Sequence, residues 1–527
     1  MSLPANDAPW PPKPHDLVLA ACAERQVWWE GDPEKLAGFY GGKMGDAAAL
    51  GRVRRTYRAA KAAWWGKQPS GQAQPKKLHV PVAADVCRVA ASTLFSSPVM
   101  FSDPGENKKL TDRIDTILNT PETYSRMLVA AESAAALSGV YGRVVWDDQV
   151  DEHTWIDWVD ADRAIPEFRW GKLAAVTFWT ELQSDDDRTV WRHLERYDKG
   201  VIEHGLYVGT KDQLGRRVDL ASHTATQHLT DTVALGIHEL AARYMPHHRP
   251  NPQWRSEPAL KDLGRPDLST DVIHLMDAID ETWSSWMNDL AIGRGRMFVS
   301  ENMLNQLGPG RGTQFEMDRS VFSPVGNPVN NDGGMGSLLQ AQQFEIRIEQ
   351  HEATFDSLFR RIISRTGYSP LTFGLQDEVA VTATEVDAKE RDTNATRSAR
   401  IRLWSGLAEL ATIQLALDAV IFHTGAMPTE TITVEWPAMH QQSERQLAET
   451  VQLWEGARAA STQTKVAMLH PEWDEQRVDD EVAAILGEQN AQLPISITGP
   501  DETTQPDDGP LADDPEPEPD KTDEQKK

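Results

Sequence analysis

The stretch FEIRIEQHEATFDSLFRRIISRTGYSPLTFGLQDEVAVTATEVDAKERDTNATRSARIRLWSGLAELATIQLALDAVIF, residues 344–422, decides how the chain reads. Phe344, Ile348, Phe355, Leu358, Phe359, Ile362 and Ile363 recur at steps of three, four and seven, which gathers them on one face of a helix. Gly367 offers a left-handed stop, and Pro370 keeps the helix from resuming at once. A restart is marked by Thr382-Ala383-Thr384-Glu385, a capping box in which the Thr hydroxyl accepts from the third amide and the Glu reaches back. No proline follows before Phe422, and the isolated Gly406 costs only roughly 1 kcal/mol against Ala. The spacing therefore predicts two helices joined by a short apolar loop, the second running from Thr382 to Phe422.

That second helix is split by composition. Glu385 to Arg400 is almost wholly polar, whereas Ile401, Leu403, Trp404, Leu407, Leu410, Ile413, Leu417 and Ile421 form a dense apolar run. A helix that is polar all round bridges between bodies or is paired with partners. The expectation is a helix that starts in a wet or intersubunit setting and ends in a core.

Gly374-Leu375-Gln376, the Thr382-Ala383-Thr384-Glu385-Val386 start, the Trp404 segment and the stretch from Lys465 to Glu481 resemble the portal proteins of tailed bacteriophages with long non-contractile tails. The likeness is one of pattern and order rather than of a single motif, and it runs from about Lys77 to Gly487. It implies an α+β, mainly helical portal fold with wing, stem, clip and crown regions. In that family the loop between two such helices is the tunnel loop, which projects into the channel through which the genome passes.

With this frame the chain divides as follows. Residues 1–13, carrying Pro4, Pro9, Pro11 and Pro12, are expected to be a disordered N-terminal arm. Residues 14–267 form the mixed helix-and-strand wing, 268–292 the first stem helix, 293–336 the clip and 337–366 the second stem helix. The tunnel loop takes 367–381, the long wing helix and a closing strand 382–440, and the crown helices 441–488. From 489 to 527 the chain loses periodicity and becomes a disordered acidic tail. Within the wing, Tyr141 to Trp146, Thr154 to Val159, Ala174 to Leu182, Val190 to Tyr197 and Gly200 to Val208 read as strands separated by turn residues.

The resemblance places Tyr368, Leu371, Phe373, Leu375 and Gln376 in the tunnel loop facing DNA. The loop carries no Lys or Arg, so any contact there is steric rather than charge capture. Arg360, Arg361 and Arg365 beside the loop, with Lys389 and Arg391 on the long helix, are candidates either for phosphate or for intersubunit ion pairs. Arg296, Arg311 and Phe315 lie in the Gly-rich clip, the docking face for the terminase motor and later for the head-completion adaptor. The implied partners are further copies of the chain, about twelve in a cyclic ring, double-stranded DNA passing non-specifically, and the capsid and scaffolding proteins. The implied location is the virion portal vertex, with the host cytoplasm during assembly. An adaptor or scaffold of low oligomeric state, without a DNA channel, is the alternative.

The charge balance suits a conduit. The net charge is -27, and the segment after Asn490 holds eleven acids against three lysines, so most of the acidity lies in the body. A surface of one sign repels phosphate everywhere and offers a polyanion no deep well. It is a poor design for a protein that grips nucleic acid by neutralising phosphates. Acidity for solubility alone predicts the same number. Arg52, Arg54, Arg55, Arg58 and Lys61 form the most basic local cluster, either a solvated helix face or a contact to DNA or an acidic neighbour.

No catalytic, cofactor or metal constellation stands at credible spacing. The glycines Gly31, Gly38, Gly41, Gly42 and Gly45 lack a following Gly-Lys-Ser/Thr and a preceding strand, so they form no phosphate loop. His238-Glu239-Leu240-Ala241-Ala242 begins like a zinc-protease helix but lacks the second histidine one turn on. His247-His248 reads as an exposed polar pair between prolines. Two cysteines, Cys22 and Cys87, are too few for a disulfide framework and suit a reducing compartment. With no apolar run of eighteen residues and no basic-then-apolar start, neither a membrane span nor a signal peptide is expected.

Overall fold

The computed structural model describes residues 3–41, 78–292, 347–375, 390–437 and 444–491, apart from single positions within them, together with four short strands between 296 and 342. It separates into two units, Met1–Met439 and His440–Lys527. The first is built on helices α1 (His15–Glu30), α2 (Pro33–Gly41), α3 (Val82–Phe95), α4 (Lys108–Ile117) and α5 (Pro121–Leu137). After an excursion through strands come α6 (Thr270–Ile292), α7 (Ile348–Thr366), α8 (Arg391–Leu403) and α9 (Gly406–Ile421).

Local sequence sets these boundaries. Thr120 caps α5 by accepting from Thr123 N, Pro121 occupies its first turn, and Ser138 ends it in a left-handed conformation at φ 102. The Ala-rich face of α5 lets α3 approach closely, with Ala134, Ala135 and Ala136 fully buried. Strand β2 (Gly139–Val145) follows directly and is central in a three-stranded antiparallel sheet with β3 (Trp155–Asp160) and β10 (Ala242–Pro246). At Gly142 a Cβ would stand 2.4 Å from Leu410 Cδ2, so α9 can pack onto β2 only because the side chain is missing.

A second, larger antiparallel sheet runs β4 (Ala164–Arg169), β5 (Lys172–Leu182), β6 (Val190–Asp198), β7 (Val201–Gly209) and β8 (Arg216–Val218), with β9 (Thr232–Ala234) also on β7. Strand β1 (Met100–Ser102) pairs antiparallel with β15 (Thr433–Glu435), with Met100 opposite Glu435. Strands β11 (Arg296–Val299) and β14 (Leu339–Gln342) pair antiparallel, and β12 (Asn305–Gln306) pairs with β13 (Thr313–Gln314).

Four expectations are corrected. The N-terminal arm is packed rather than disordered from Leu3 onward: Leu3 and Trp10 are buried, Leu214 N donates to Ala8 O at 2.9 Å, and the Tyr207 hydroxyl donates to Pro4 O at 2.7 Å. Its prolines suppress secondary structure without preventing an extended segment from lying along a sheet. The helix expected over 337–366 begins only at Ile348, because Leu339–Gln342 is a strand held by β11. The long helix is interrupted: α8 ends at Leu403, and α9 restarts at Gly406 with Leu407 N donating to Trp404 O. Trp404 is seated between Phe95 and Trp158, ring centroids 5.1 and 5.6 Å away, and that packing fixes the turn. The stretch around His238 is irregular chain between β9 and β10 rather than a helix, so Glu239 sits on no metal-binding face.

The capping box at Thr382, the basic cluster at 52–61 and the tail beyond 491 lie outside the described residues. Although α8 and α9 together are long and apolar enough to match a membrane span by composition, half of that stretch is buried within the protein. Asp418 and Gln414 on α9 are also buried; Arg113 grips Asp418 through two bonds of 2.8 and 2.9 Å, and Gln414 Nε2 donates to Thr154 O.

The second unit contains α10 (Glu444–Ala457), α11 (Thr462–Leu469) and α12 (Glu475–Ala491). Ser461 caps α11 by accepting from Thr464 N, and Gln463 Nε2 donates to Asp479 on α12 at 2.8 Å.

Candidate functional site: the interhelical loop and its buried anchor

The loop following α7 is a folded device. Gly367 ends the helix at φ +85 and its amide donates to Ile363 O; a Cβ there would also stand 2.7 Å from Thr396 Oγ1. Tyr368 and Ser369 follow, then a single 3-10 turn from Pro370 to Phe373, closed by Gly374 at φ +76. Leu375 N returns to Pro370 O at 3.1 Å. Helix α8 holds this turn from the side: Thr393, fully buried, accepts from Ser369 N at 2.9 Å and exchanges a hydrogen bond with Thr372 at 2.7 Å, while Thr396 donates to Gly367 O.

Beneath the turn lies a buried polar cluster drawn from four parts of the chain. Arg400 of α8 donates through Nη2 to Asp267 at 3.0 Å and through Nη1 to the Tyr368 hydroxyl. The same hydroxyl is 3.3 Å from Asp267 Oδ2, and the guanidinium carbon lies 4.9 Å from the Tyr368 ring centre. His248 Nε2 is 3.0 Å from Arg400 Nη2 and 3.2 Å from Asp267 Oδ1. His247 Nε2 lies 2.9 Å from Asp267 Oδ2 but is not aligned for a hydrogen bond.

The charge state follows from burial and neighbours. Burial would raise the Asp267 carboxyl, but its contacts to His247, the Arg400 guanidinium and His248 hold it well below its ordinary value of 3.8. Burial, reinforced by Arg400, depresses His247 to about 3, so its imidazole is neutral at pH 7. Burial pushes the Tyr368 phenol well above its ordinary value. The cluster thus holds one carboxylate and one guanidinium, each 1% exposed.

Among the described residues two groups bring metal-ligand side chains together. His247, His248 and Asp267 offer donor atoms within 4.8 Å of one another, but Arg400 Nη2 is bonded to both His248 and Asp267 and occupies the position a cation would take. In the second group His193 Nε2 faces His204 Nδ1 at 3.2 Å while its opposite nitrogen, Nδ1, faces Glu195 Oε1 at 3.5 Å. Those contacts use opposite edges of one ring, and Arg143 already holds Glu195 Oε2 at 2.8 Å.

The expected loop residues separate by environment. Tyr368 is 1% exposed and belongs to the anchor, a correction to its assignment as a DNA-facing residue. Leu371, Phe373 and Leu375 are half-buried; Phe373 lies 6.0 Å from Phe359 and 5.9 Å from Tyr368 by ring centroid. Arg361 and Arg391 are exposed, and Arg360 is half-buried. Arg365 pairs with Asp271, which ties the end of α7 to the start of α6. At the other end of the same hairpin Arg347 and His351 share Asp289 at 2.8 and 3.0 Å. Arg296 opens β11 opposite Gln342. Gln376, Lys389, Arg311 and Phe315 lie outside the described residues.

The sequence reading missed Asp267, Arg400 and the histidine pair as a unit. His247-His248 was expected to be exposed, and His247 is 3% exposed. The one available signal was Arg400 at the seam between the polar and apolar halves of the long helix, where a charged residue meets the core.

Among solved structures the chain is similar to a chain in the "Neck of empty GTA particle computed with C6 symmetry", at 14% identity and TM-score 0.39, covering 74% of this chain and 90% of that chain. It is similar to a chain in the "Virion of native gene transfer agent (GTA) particle" at 14% identity and TM-score 0.36, covering 74% and 89%. No curated protein matches it. The family model described as phage portal protein, SPP1 Gp6-like, matches residues 52–494, which is most of the sequence. The chain belongs to the phage portal protein family.

Proposed function

We propose that the chain is the repeating subunit of a closed ring at one capsid vertex, a structural and non-enzymatic channel through which double-stranded DNA is packaged, retained and ejected. The observation that carries this reading is the family match over residues 52–494. The helices 348–366 and 391–403, with the turn at 367–375 braced from below, agree with it: a loop that bears on moving DNA must resist load, and Arg400, Asp267 and Tyr368 give it a rigid base.

In this reading residues 367–381 face the channel and touch DNA through Leu371, Phe373, Leu375 and Gln376, by steric contact. Arg360, Arg361, Arg365, Lys389 and Arg391 serve phosphate or neighbouring subunits. The segment 293–336, with Arg296, Arg311 and Phe315, docks the terminase and then the head-completion adaptor, and the ring contacts capsid and scaffolding proteins during assembly in the host cytoplasm. Deletion of Leu371 to Gln376 tests the loop's role: rings are expected to assemble while packaged-DNA yield falls. Normal yield from that deletion would remove the loop from the mechanism.

A further inference from the structure

Trp170 stands alone at the tip of the β4–β5 hairpin. The hairpin closes Arg169 onto Lys172 through the two-residue turn Trp170-Gly171, with φ of 51 and 81. Two positive φ values fit a type I′ turn, whose first position ordinarily takes Asn, Asp or Gly. A tryptophan there is conformationally disfavoured, and this one is 102% exposed, so it contributes no packing to its own chain. Arg169 and Lys172 on either side are also exposed. The result is a rigid knob, apolar at the tip and cationic at its flanks.

A complementary surface lies elsewhere on the same unit, between α5 and β3. A cavity of about 490 Å³ is lined by Val129, Ala130, Trp155 and Trp158, with Asp157 and Asp160 at its edge. Val129 is 65% exposed, on the open N-terminal half of the helix beside exposed Ser125 and Arg126. A neighbouring cavity shares Trp155, Trp158 and Arg126 and adds Glu122 and Asp151; Arg126 pairs with Glu122 and Arg143 with Asp157, which leaves acids in excess along an aromatic-lined groove.

We infer that Trp170 of one copy inserts into the α5–β3 groove of the next copy, with Arg169 and Lys172 facing Asp157 and Asp160. The acids along the groove outnumber its bases, which suits the cationic flanks of the knob, and tryptophan is enriched among the residues that anchor protein interfaces. Because knob and groove are different surfaces of one chain, the contact is head-to-tail, the kind that closes into rings. This inference rests on the ring reading above and names one contact within it.

The test uses the full-length chain. Trp170→Ala is expected to raise the concentration needed for half-assembly, read by light scattering, at least tenfold, with an unchanged circular dichroism spectrum. The double variant Trp170→Cys, Val129→Cys is expected to give a ladder of covalent multimers on mild oxidation, and neither single variant to do so. Cys22 and Cys87 do not interfere, being buried with thiols pushed up by burial. If the double variant assembles to the wild-type mass yet stays monomeric on a denaturing gel, or if Trp170→Ala assembles normally, the contact is wrong and the ring stands. If the wild-type chain never assembles, both fall.

Discussion

Arg400 and Asp267 form an ion pair with each side chain 1% exposed, Nη2 lying 3.0 Å from Oδ2. They join α8 to the chain just before α6, and Tyr368, immediately after α7, bonds to both. Three elements that the loop depends on are therefore fastened at one dry point.

Removing one partner is expected to leave the other charge buried and alone. Arg400→Met should destabilise the chain by about 3–5 kcal/mol, whereas Tyr368→Phe, which deletes one hydroxyl and keeps the ring, should cost roughly 1–2 kcal/mol. Chemical denaturation of the two variants checks the order. Equal, small losses would mean that water enters the cluster.

The two glycines of the loop should separate by environment. At Gly367, an Ala meets both a positive φ and Thr396 Oγ1 at 2.7 Å; at Gly374, φ is also positive but nothing stands within 4 Å. Gly374→Ala is therefore expected to cost about 1 kcal/mol and Gly367→Ala clearly more. Thermal melts of both variants, with Thr396→Ala added to relieve the clash, measure the difference.

Acid should destabilise the protein earlier than its carboxylates alone would require. His193 is depressed to about 4 and His247 to about 3, and His204 and His15 are also lowered, each chiefly by burial. Below the ordinary value of 6.5 the unfolded chain takes up protons that the folded one refuses. Stability therefore falls as pH drops below 6.5, by about 1.4 kcal/mol per unit each for His193 and His247 down to about 4, with His204 and His15 acting in the same direction. Asp267 acts lower, its contribution being present above 3.8 and lost as pH falls through its depressed folded value. Unfolding midpoints from pH 7.5 to 4.5 test this, with His193→Gln expected to flatten the slope.

The helices were legible because their apolar residues repeat with the helical period. Phe355, Leu358, Phe359, Ile362 and Ile363 do line the inner side of α7, and Trp283 of α6 meets Phe355 at 5.8 Å. The strands between Tyr141 and Val208 were legible from a local pattern too, the alternation of apolar and polar residues. The anchor was not, since its members stand at 247, 248, 267, 368 and 400 and no local pattern joins them. Proline content at positions 4–12 pointed to disorder, while Leu3 and Trp10 carried the contrary signal that the arm has something to bury. The break at Trp404 and Ser405 was invisible for a related reason: helix propensity is satisfied there, and Phe95 and Trp158, far away in sequence, set the geometry.

Electron microscopy of the purified full-length chain bears most directly on the central proposal. Particles with a central channel and rotational symmetry, built from many copies, are the expected result; single compact molecules at every concentration would contradict it.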